Sequence, residues 1–287
     1  MPLDKACVRK YVNEALLEDA AFDDITSRTF IPQDAKVRAQ IVAKEDGVVC
    51  GVTIACEVFK VFDSRTTIKI RKKDGQIVRR GDIVLEACGM ARSVLSCERV
   101  ALNFMSYLSG ISTQTRYAVK LAGPKGIQIL DTRKTTPTLR YFEKYAVLSG
   151  GGRNHRLNLS DQYLVKENHL YVISRTSDPE VFSSRKNKAI FEIEVQSLEE
   201  LKRFLSCGPD IIMLDNFSPS DIRKAVALLK GIFPDKDKRP LIEISGGVNL
   251  KNIAKYAIAG VDFISLGALT HSAPALDMSL DITKVYS

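Results

Sequence analysis

The first hundred residues mix helical and alternating hydrophobic patterns. Apolar residues in segment 8–17 recur at intervals of three and four, which predicts an amphipathic helix. Residues 37–43 alternate between apolar and polar side chains, as strands do, and an E-D-G turn leads into 48–50, so we expect a hairpin. Similar patterns predict helices over 54–62 and 94–108, and short strands over 67–71, 76–78 and 83–87. The pattern indicates a mixed domain with an antiparallel sheet.

After Gly110 the pattern changes to apolar runs that alternate with helical stretches, which is typical of parallel βα units. We therefore place a domain boundary at residue 110. The predicted strands are 127–130, 164–165, 190–195, 211–214, 241–244 and 263–266. The predicted helices are 139–149, 198–205, 218–232 and 250–258. The polar segment 171–188 has no clear period, and the pattern leaves open whether it is loop or helix.

Each of these apolar runs ends in a residue that offers either a reactive side chain or an open backbone. Parallel strands direct their carboxyl ends to one face, which is where βα barrels keep their active sites. We therefore expect one site built from the residues that close the six runs, namely Asp131, Lys166, Glu194, Asp215, Ser245 and Gly267.

Composition excludes several classes of protein. The 287 residues are 45% hydrophobic and 26% charged, which is ordinary globular usage and not that of a disordered or fibrous chain. Six cysteines form no CxxC pair and have no zinc-ligand spacing with the three histidines, so we expect reduced thiols. No apolar run approaches the roughly 20 residues of a membrane span. We expect a cytoplasmic protein with no membrane partner.

The net charge of +8 indicates an anionic partner. Half of that excess lies in residues 133–169, which hold seven Lys or Arg and three acids. Two predicted loops carry it: D-T-R-K-T-T-P at 131–137 and G-G-G-R-N-H-R at 150–156. Solvated surface charge is the alternative explanation, but neighbouring like charges repel unless an anion joins them. Glycine-exposed N–H groups and arginine forks suit carboxylates and phosphates.

Lys166 follows the strand Y-L-V, and the sequence leaves three roles open for it: a salt-bridged lysine, a Schiff-base nucleophile or a phosphate ligand. Glu194 and Asp215 end neighbouring strands beside these cations, which indicates a Mg²⁺ site or a site for ribose hydroxyls. Glu192 shares the face of Glu194 by the two-residue period, so the sequence does not decide which points inward.

Two late loops of small residues, Ser245-Gly246-Gly247 and Gly267-Ala268, lead toward helix starts. In βα barrels the final units commonly bind a phosphate at this place. A plain tight turn explains either loop alone, whereas the two together favour a phosphate site.

These motifs, taken in order, resemble the quinolinate phosphoribosyltransferase family. The resemblance runs from L-L-E-D and D-I-T-S near residues 17–27 to S-L-D-I near the end of the chain. Between them come D-T-R-K-T-T-P, G-G-G-R-N-H-R-L, L-V-K-E-N-H, E-I-E-V, I-I-M-L-D-N, I-S-G-G-V and S-L-G-A-L-T-H-S. Two positions depart from the family pattern: Asp23 stands where G-D-I-T is usual, and Thr138 stands where glycine is common.

The resemblance implies an α/β fold with two domains. Residues 1–110, completed by about 272–287, would form an N-terminal α/β sandwich with an antiparallel sheet, and 111–271 an incomplete parallel α/β barrel. It also implies a homodimer, at least, whose active sites are shared between subunits. The implied substrates are quinolinate and phosphoribosyl pyrophosphate with Mg²⁺, and the implied products are nicotinate mononucleotide, pyrophosphate and CO₂, in NAD biosynthesis.

The resemblance also assigns roles. It places quinolinate's two carboxylates against Arg133, His155 and Arg156, with Thr132 on the same loop and Arg99 supplied by the neighbouring subunit. Lys134 and Lys166 match residues that face the phosphoribosyl pyrophosphate and the reacting centre, and Glu194 and Asp215 match those at the ribose hydroxyls and metal. The resemblance places the 5′-phosphate against Ser245, Gly246, Gly247, Gly267 and Ala268.

Two other classes of function stay open on the residues alone. One is a different phosphate-binding barrel enzyme that uses Lys166 as a Schiff base. The other is a nucleic-acid-binding protein, which the net charge favours. The absence of tryptophan, and the placing of the basic loops beside Glu194 and Asp215, argue against it, so we expect no nucleic-acid partner.

Overall fold

The computed structural model describes residues 3–176, 181–182 and 188–286. The first elements of the chain, in order, are α1 (Lys5–Glu18), α2 (Ile25–Phe30), β1 (Lys36–Ala43), β2 (Gly47–Val48), α3 (Val52–Phe62), β3 (Thr67–Ile70), β4 (Ile77–Val78), β5 (Ile83–Met90) and α4 (Ala91–Ala122). The helices predicted over 8–17 and 54–62, and the strands over 67–71, 76–78 and 83–87, are confirmed with shifted ends.

The later elements alternate as predicted. They are β6 (Gln128–Leu130), α5 (Arg140–Ser149), β7 (Tyr163–Val165), α6 (Glu167–Thr176), β8 (Phe191–Val195), α7 (Leu198–Phe204), β9 (Ile211–Asp215), α8 (Pro219–Ile232), β10 (Leu241–Ser245), α9 (Ile253–Tyr256), β11 (Phe263–Ser265), α10 (Ala268–His271) and β12 (Met278–Tyr286). Segment 171–188, left open by the sequence, continues α6 as far as Thr176, and residues 177–180 and 183–187 lie outside the described part of the chain.

The antiparallel sheet has the order β12-β1-β5-β3. Alternation in β1 buries Val37, Ala39, Ile41 and Ala43 on one face, and this buried row makes the sheet amphipathic. The last strand, β12, pairs with β1 from Lys36↔Tyr286 to Ala43↔Met278, with an irregularity between Arg38 and Ala39. The sheet therefore joins the two ends of the described chain.

The predicted hairpin between 37–43 and 48–50 is wrong. The short strand β2 pairs with β4, through Gly47↔Val78 and Val48↔Ile77. Both edges of β1 are taken by the longer strands β5 and β12, so no edge is left for β2. Val48 and Val49 are both buried, so this segment lacks the alternation of a strand that exposes one face to water.

The helix predicted over 94–108 extends on both sides, and α4 passes through Gly110 without interruption. A Cβ at Gly110 would lie 2.0 Å from the carbonyl oxygen of Pro274. The glycine therefore permits a close backbone contact inside a helix instead of ending the helix.

The second sheet is parallel, with the order β6-β11-β10-β9-β8-β7. This confirms the predicted α/β class and all six predicted parallel strands. β8 is buried along its whole length, as expected for a strand covered on both faces. The helix predicted over 250–258 shrinks to α9, because Asn249 accepts the Lys251 N–H at 2.9 Å and Asn252 accepts the Asn249 N–H at 2.8 Å in turns that precede it.

The chain divides into two compact units. The first unit comprises Met1–Arg116, Tyr141–Gly151 and Ser272–Ser287, and the second unit comprises Tyr117–Arg140 and Gly152–His271. The proposed division at 110 thus lies within α4, six residues before the first change of unit. Most of α5 belongs to the first unit, where the Phe142 ring meets the Tyr11 ring with centroids 5.0 Å apart. No helix among the described residues is both long enough and apolar enough to cross a bilayer.

Candidate active site

A cavity of about 670 Å³ lies in the second unit and is lined by the carboxyl ends of its parallel strands and the loops that follow them. It contains all of the residues predicted for the site except Arg99 and Asp131, and Asp131 is fully buried behind the basic loops. The lining residues that the sequence predicted are Thr132, Arg133, Lys134, His155, Arg156, Lys166, Glu194, Asp215, Ser245, Gly246, Gly247, Gly267 and Ala268. Arg99 lies exposed on α4 in the first unit.

The two basic loops lie side by side because the second loop extends the sheet beyond β6. Arg153 donates its N–H to the Ile129 carbonyl at 2.8 Å and accepts the Asp131 N–H at 3.2 Å. The fully buried Asp131 then accepts the His155 N–H at 2.9 Å. Backbone pairing to an edge strand therefore brings together charges that are 20 residues apart in sequence.

The arginine side chains of the two basic loops lie close enough to repel one another. Burial, and then repulsion from Arg133, lower the pKa of the Arg156 guanidinium. Arg156 is 7% exposed, and it donates to the Gln162 carbonyl at 3.2 Å. Two guanidinium groups held this close in a partly buried site are stabilised when an anion binds between them.

Lys166 bonds directly to Glu194 across the ends of β7 and β8. Of the three roles that the sequence left open, the structure therefore places Lys166 in a salt bridge at the cavity. An ammonium in an ion pair is not a nucleophile, so this arrangement disfavours Schiff-base chemistry.

Asp215 at the end of β9 completes a small acidic group with Glu194. Burial, and then the charge of Glu194, raise the pKa of Asp215, while Lys166 and Lys134 oppose the rise. The Asn216 amide donates to Asp215 at 2.7 Å and holds its carboxylate. The two carboxylates repel each other, and carboxylate oxygens are the ligands that Mg²⁺ prefers, so Glu194 and Asp215 fit the predicted metal.

The two glycine loops follow β10, which pairs with β9, and β11, which pairs with β6. Gly246 and Gly247 have φ of +80° and +63°, which favours glycine. A Cβ at Gly246 would lie 2.3 Å from the Asn216 amide oxygen. The segment that follows β11 contacts the first basic loop, because Thr270 donates its hydroxyl hydrogen to the Lys134 carbonyl at 2.7 Å.

Thr138, the residue that replaces a common glycine, has a φ of +68°. A β-branched residue is rare in this left-handed region. The backbone therefore keeps the path that glycine would favour, and the threonine adopts a strained conformation to follow it.

His155, Glu192 and Glu243 lie together at the floor of the cavity, and the sequence prediction included only His155 among its sites. Glu194 lines the cavity and Glu192 is buried without lining it, so Glu194 is the one of the pair that faces the site. Glu243 was missed, although it precedes Ser245 by two positions and so shares its face of β10. Burial raises the pKa of Glu192 and of Glu243 to about 8 in each case.

His155 is oriented by both of its ring nitrogens. Its Nδ1 accepts the Arg156 N–H at 2.7 Å, and its Nε2 lies 2.9 Å from Glu192 Oε2 and 3.6 Å from Glu243 Oε2. An Nδ1 that accepts a hydrogen bond leaves Nε2 to face the glutamates. His155 therefore lines the cavity with its Nε2 turned toward the floor. This Nε2 and one carboxylate oxygen of each of Glu192 and Glu243 lie within 4.8 Å of one another.

Comparison with known proteins gives consistent results over the chain. The profile of the quinolinate phosphoribosyl transferase N-terminal domain matches residues 24–109, and that of the C-terminal domain matches residues 111–281. The probable carboxylating nicotinate-nucleotide pyrophosphorylase of Bacillus subtilis is 38% identical over 278 residues, which are 96% of this chain and 93% of that protein.

A plant relative and a crystal structure agree. The chloroplastic carboxylating nicotinate-nucleotide pyrophosphorylase of Arabidopsis thaliana is 38% identical over 296 residues, covering 96% of this chain and 82% of its own. The crystal structure of NadC from Streptococcus pyogenes superposes with a TM-score of 0.91 at 38% identity, covering 100% of this chain and 99% of that one.

Proposed function

The chain belongs to the quinolinate phosphoribosyltransferase family of NAD biosynthesis, and from this premise we propose how its cavity carries out the family's reaction. A phosphoribosyl group passes from phosphoribosyl pyrophosphate to the ring nitrogen of quinolinate. Pyrophosphate and CO₂ leave, and nicotinate mononucleotide is formed. The names of the relatives describe the reverse direction, pyrophosphorolysis with carboxylation.

The observation that carries the proposal is the division of charge within one cavity. Cations from the loops after β6 lie on one side, Glu194 and Asp215 end the middle strands, and the glycine loops close β10 and β11. The two carboxylates of quinolinate, and the ribose and 5′-phosphate of phosphoribosyl pyrophosphate, would each meet a complementary group in this cavity.

We assign the ring dicarboxylate to Arg133 and Arg156. Burial, and then repulsion from Arg133, lower the pKa of Arg156, and a dianion bound between the two guanidinium groups would relieve that repulsion. Guanidinium forks match carboxylates in geometry as well as charge. Thr132 accepts the Lys134 N–H at 3.0 Å and so shapes this loop. His155 contributes shape and a fixed tautomer to the quinolinate site, beside the two charged groups.

We assign the reacting centre to Glu194 and Asp215. Loss of pyrophosphate from the anomeric carbon develops positive charge on the ribose, which preorganised carboxylates stabilise without forming a covalent bond. Lys166 holds Glu194 in place, and Lys134 lies where the pyrophosphate would leave. The 5′-phosphate would bind at Ser245, Gly246, Gly247, Gly267 and Ala268, where the chain leaves β10 and β11.

Mg²⁺ is the metal we propose for this site. Glu194 and Asp215 would hold it, since their carboxylates repel one another in a partly buried position. When bound, the ion neutralises charge on the pyrophosphate leaving group. After transfer, the ring nitrogen is cationic and stabilises the electron pair that stays on the adjacent ring carbon when its carboxylate leaves as CO₂, and that carbon then takes up a proton.

We also propose a homodimer in which Arg99 of one subunit completes the site of the other. Arg99 is exposed and absent from the cavity lining, while the family resemblance gives it a place beside quinolinate. We place the enzyme in the cytoplasm, because all six cysteines are free thiols, as reducing compartments keep them.

Incubation of the purified protein with quinolinate, phosphoribosyl pyrophosphate and Mg²⁺ tests the proposal. We expect nicotinate mononucleotide, pyrophosphate and CO₂ in equal amounts. Lys166→Ala should abolish turnover, and Glu199→Gln, an exposed position on α7, should not. A carbonyl substrate trapped on Lys166 by borohydride, or steeply salt-dependent RNA binding without turnover, would contradict the proposal.

A further inference from the structure

Two buried glutamates lie close together at the floor, below the proposed position of a dianionic substrate, and one of them, Glu243, lines the cavity. Glu192 comes from β8 and Glu243 from β10, on either side of β9. Both are 0% exposed. Two ionised carboxylates at this place would oppose quinolinate, so the charge state of the floor bears directly on its affinity.

The two glutamates differ in their partners. Glu192 accepts from the Gln162 amide at 2.6 Å and faces His155 Nε2 at 2.9 Å, with Lys166 and Arg156 near enough to favour its ionised form. These donors and charges stabilise a carboxylate in a buried position.

Glu243 has no such support. Neither of its carboxylate oxygens has a hydrogen-bond partner among the described residues, and His155 Nε2 is 3.6 Å away. The charged groups that face it are Glu192 from β8, His155 from the second basic loop and Lys166 after β7. On β11, the Ser265 hydroxyl favours the ionised form but donates to the Ile244 carbonyl at 3.4 Å. An ionised Glu243 would be a buried charge without compensation.

We propose that Glu243 is a positioning residue that stays a neutral carboxylic acid while quinolinate binds. Of the two glutamates, Glu192 has the closer donors, the Gln162 amide at 2.6 Å and His155 Nε2 at 2.9 Å. Ionisation of Glu243 adds a negative charge with no such donor beneath the substrate. Glu243 thereby sets the upper pH limit for quinolinate affinity. This inference rests on the proposed function for its substrate, but not for the protonation of Glu243.

The kinetic test measures KM for quinolinate and kcat between pH 7 and pH 9. If the ionised form does not bind quinolinate, a group with a pKa of about 8 raises KM about tenfold over this range. Both carboxylates of quinolinate stay ionised throughout, so the substrate itself does not change. We expect this rise in the wild type and in Glu199→Gln, and a clearly smaller rise in Glu243→Gln, where only Glu192 still titrates in this range, with kcat following the same pH profile in all three. A structural role would instead lower kcat and raise KM at every pH. A wild-type KM that is flat to pH 9, or a rise in Glu243→Gln equal to that of the wild type, would overturn the proposal.

The spectroscopic test needs no substrate. Infrared difference spectra of the wild-type protein between pH 7 and pH 10 should show loss of a carbonyl-stretch band of a protonated carboxylic acid. That band should be weaker in Glu243→Gln and unchanged in Glu199→Gln. If the wild type makes no nicotinate mononucleotide but shows the band, the proposed function fails and the protonation of Glu243 stands. Absence of the band from the wild type, or stoichiometric Zn²⁺ binding that Glu243→Gln abolishes, would overturn the proposal, since metal binding requires the carboxylate.

Discussion

Thr138 illustrates how one residue can depart from a family pattern without changing the backbone. Its φ of +68° is the conformation for which glycine is suited. The left-handed region costs an L-residue roughly 1–2 kcal/mol, and a β-branched side chain is among the least suited to it. The loop after the first basic segment therefore stores strain at a position next to the candidate site.

Thr138→Gly should raise the free energy of unfolding by about 1 kcal/mol, because relief of the left-handed strain exceeds the extra freedom that glycine gives the unfolded chain. Thr138→Ala keeps the Cβ and should change stability by less. Urea denaturation of the three proteins measures the difference. Equal stability of the glycine and alanine variants would show that the conformation is not strained.

Glu194→Gln and Asp215→Asn should each reduce turnover by about a hundredfold or more, the scale of losing one preorganised electrostatic group. Each variant removes a charge and keeps the shape of the side chain. Steady-state rates at saturating substrates measure the loss, and circular dichroism shows whether the fold is kept. Near-normal turnover in both variants would exclude a role at the reacting centre.

The sequence predicted most of the lining residues, because a strand followed by a polar residue marks the carboxyl end of a parallel strand. It did not predict Glu243, since alternation assigns a face but says nothing about whether a charge on that face has a partner. The orientation of His155 was equally inaccessible, because it depends on a backbone N–H and two carboxylates brought together by three separate elements.

At the scale of elements, the loop after β10 depends on the absence of a side chain at Gly246. A Cβ there would lie 2.3 Å from the Asn216 amide oxygen and 2.8 Å from the Asn216 backbone nitrogen. At Gly247 the nearest atom would lie 3.9 Å away. The two glycines share a left-handed φ and differ in available space.

Gly246→Ala should therefore raise KM for phosphoribosyl pyrophosphate by about tenfold or more, which corresponds to displacing the loop at a free-energy cost above about 1.4 kcal/mol. Gly247→Ala is the matched control, since it carries the same left-handed penalty without the collision. Initial rates at varied phosphoribosyl pyrophosphate measure both. The hypothesis fails if the two variants have the same KM.

Element by element, the second sheet was more predictable than the first. Buried parallel strands are continuous apolar runs, and all six were found. The pairing of β1 was not predictable, because its partner β12 lies more than 230 residues away and local sequence offered β2 instead. The full extent of α4 was not predictable, because glycine disfavours a helix and the contact between Gly110 and Pro274 is not visible in the local sequence.

At the scale of the whole molecule, the proposed homodimer makes a prediction about subunit mixing. Arg99→Ala and Lys166→Ala should each be inactive alone. When the two are mixed, both lesions fall in one composite site of each mixed dimer and the other site is native, so random exchange should restore about a quarter of wild-type activity. Native mass spectrometry verifies the exchange. If activity does not recover although exchange is verified, Arg99 does not act in the site of the partner subunit.

The pairing of β1 with β12 also has a consequence for how the protein is made. The ribosome delivers β12 more than 230 residues after β1. Until then, one edge of an eight-residue strand has unpaired N–H and C=O groups, which is the kind of edge that recruits other chains. During synthesis, the first unit therefore closes its sheet only after β12 has emerged. A nascent chain halted before residue 278 should be bound by chaperones, whereas one released after residue 286 should not.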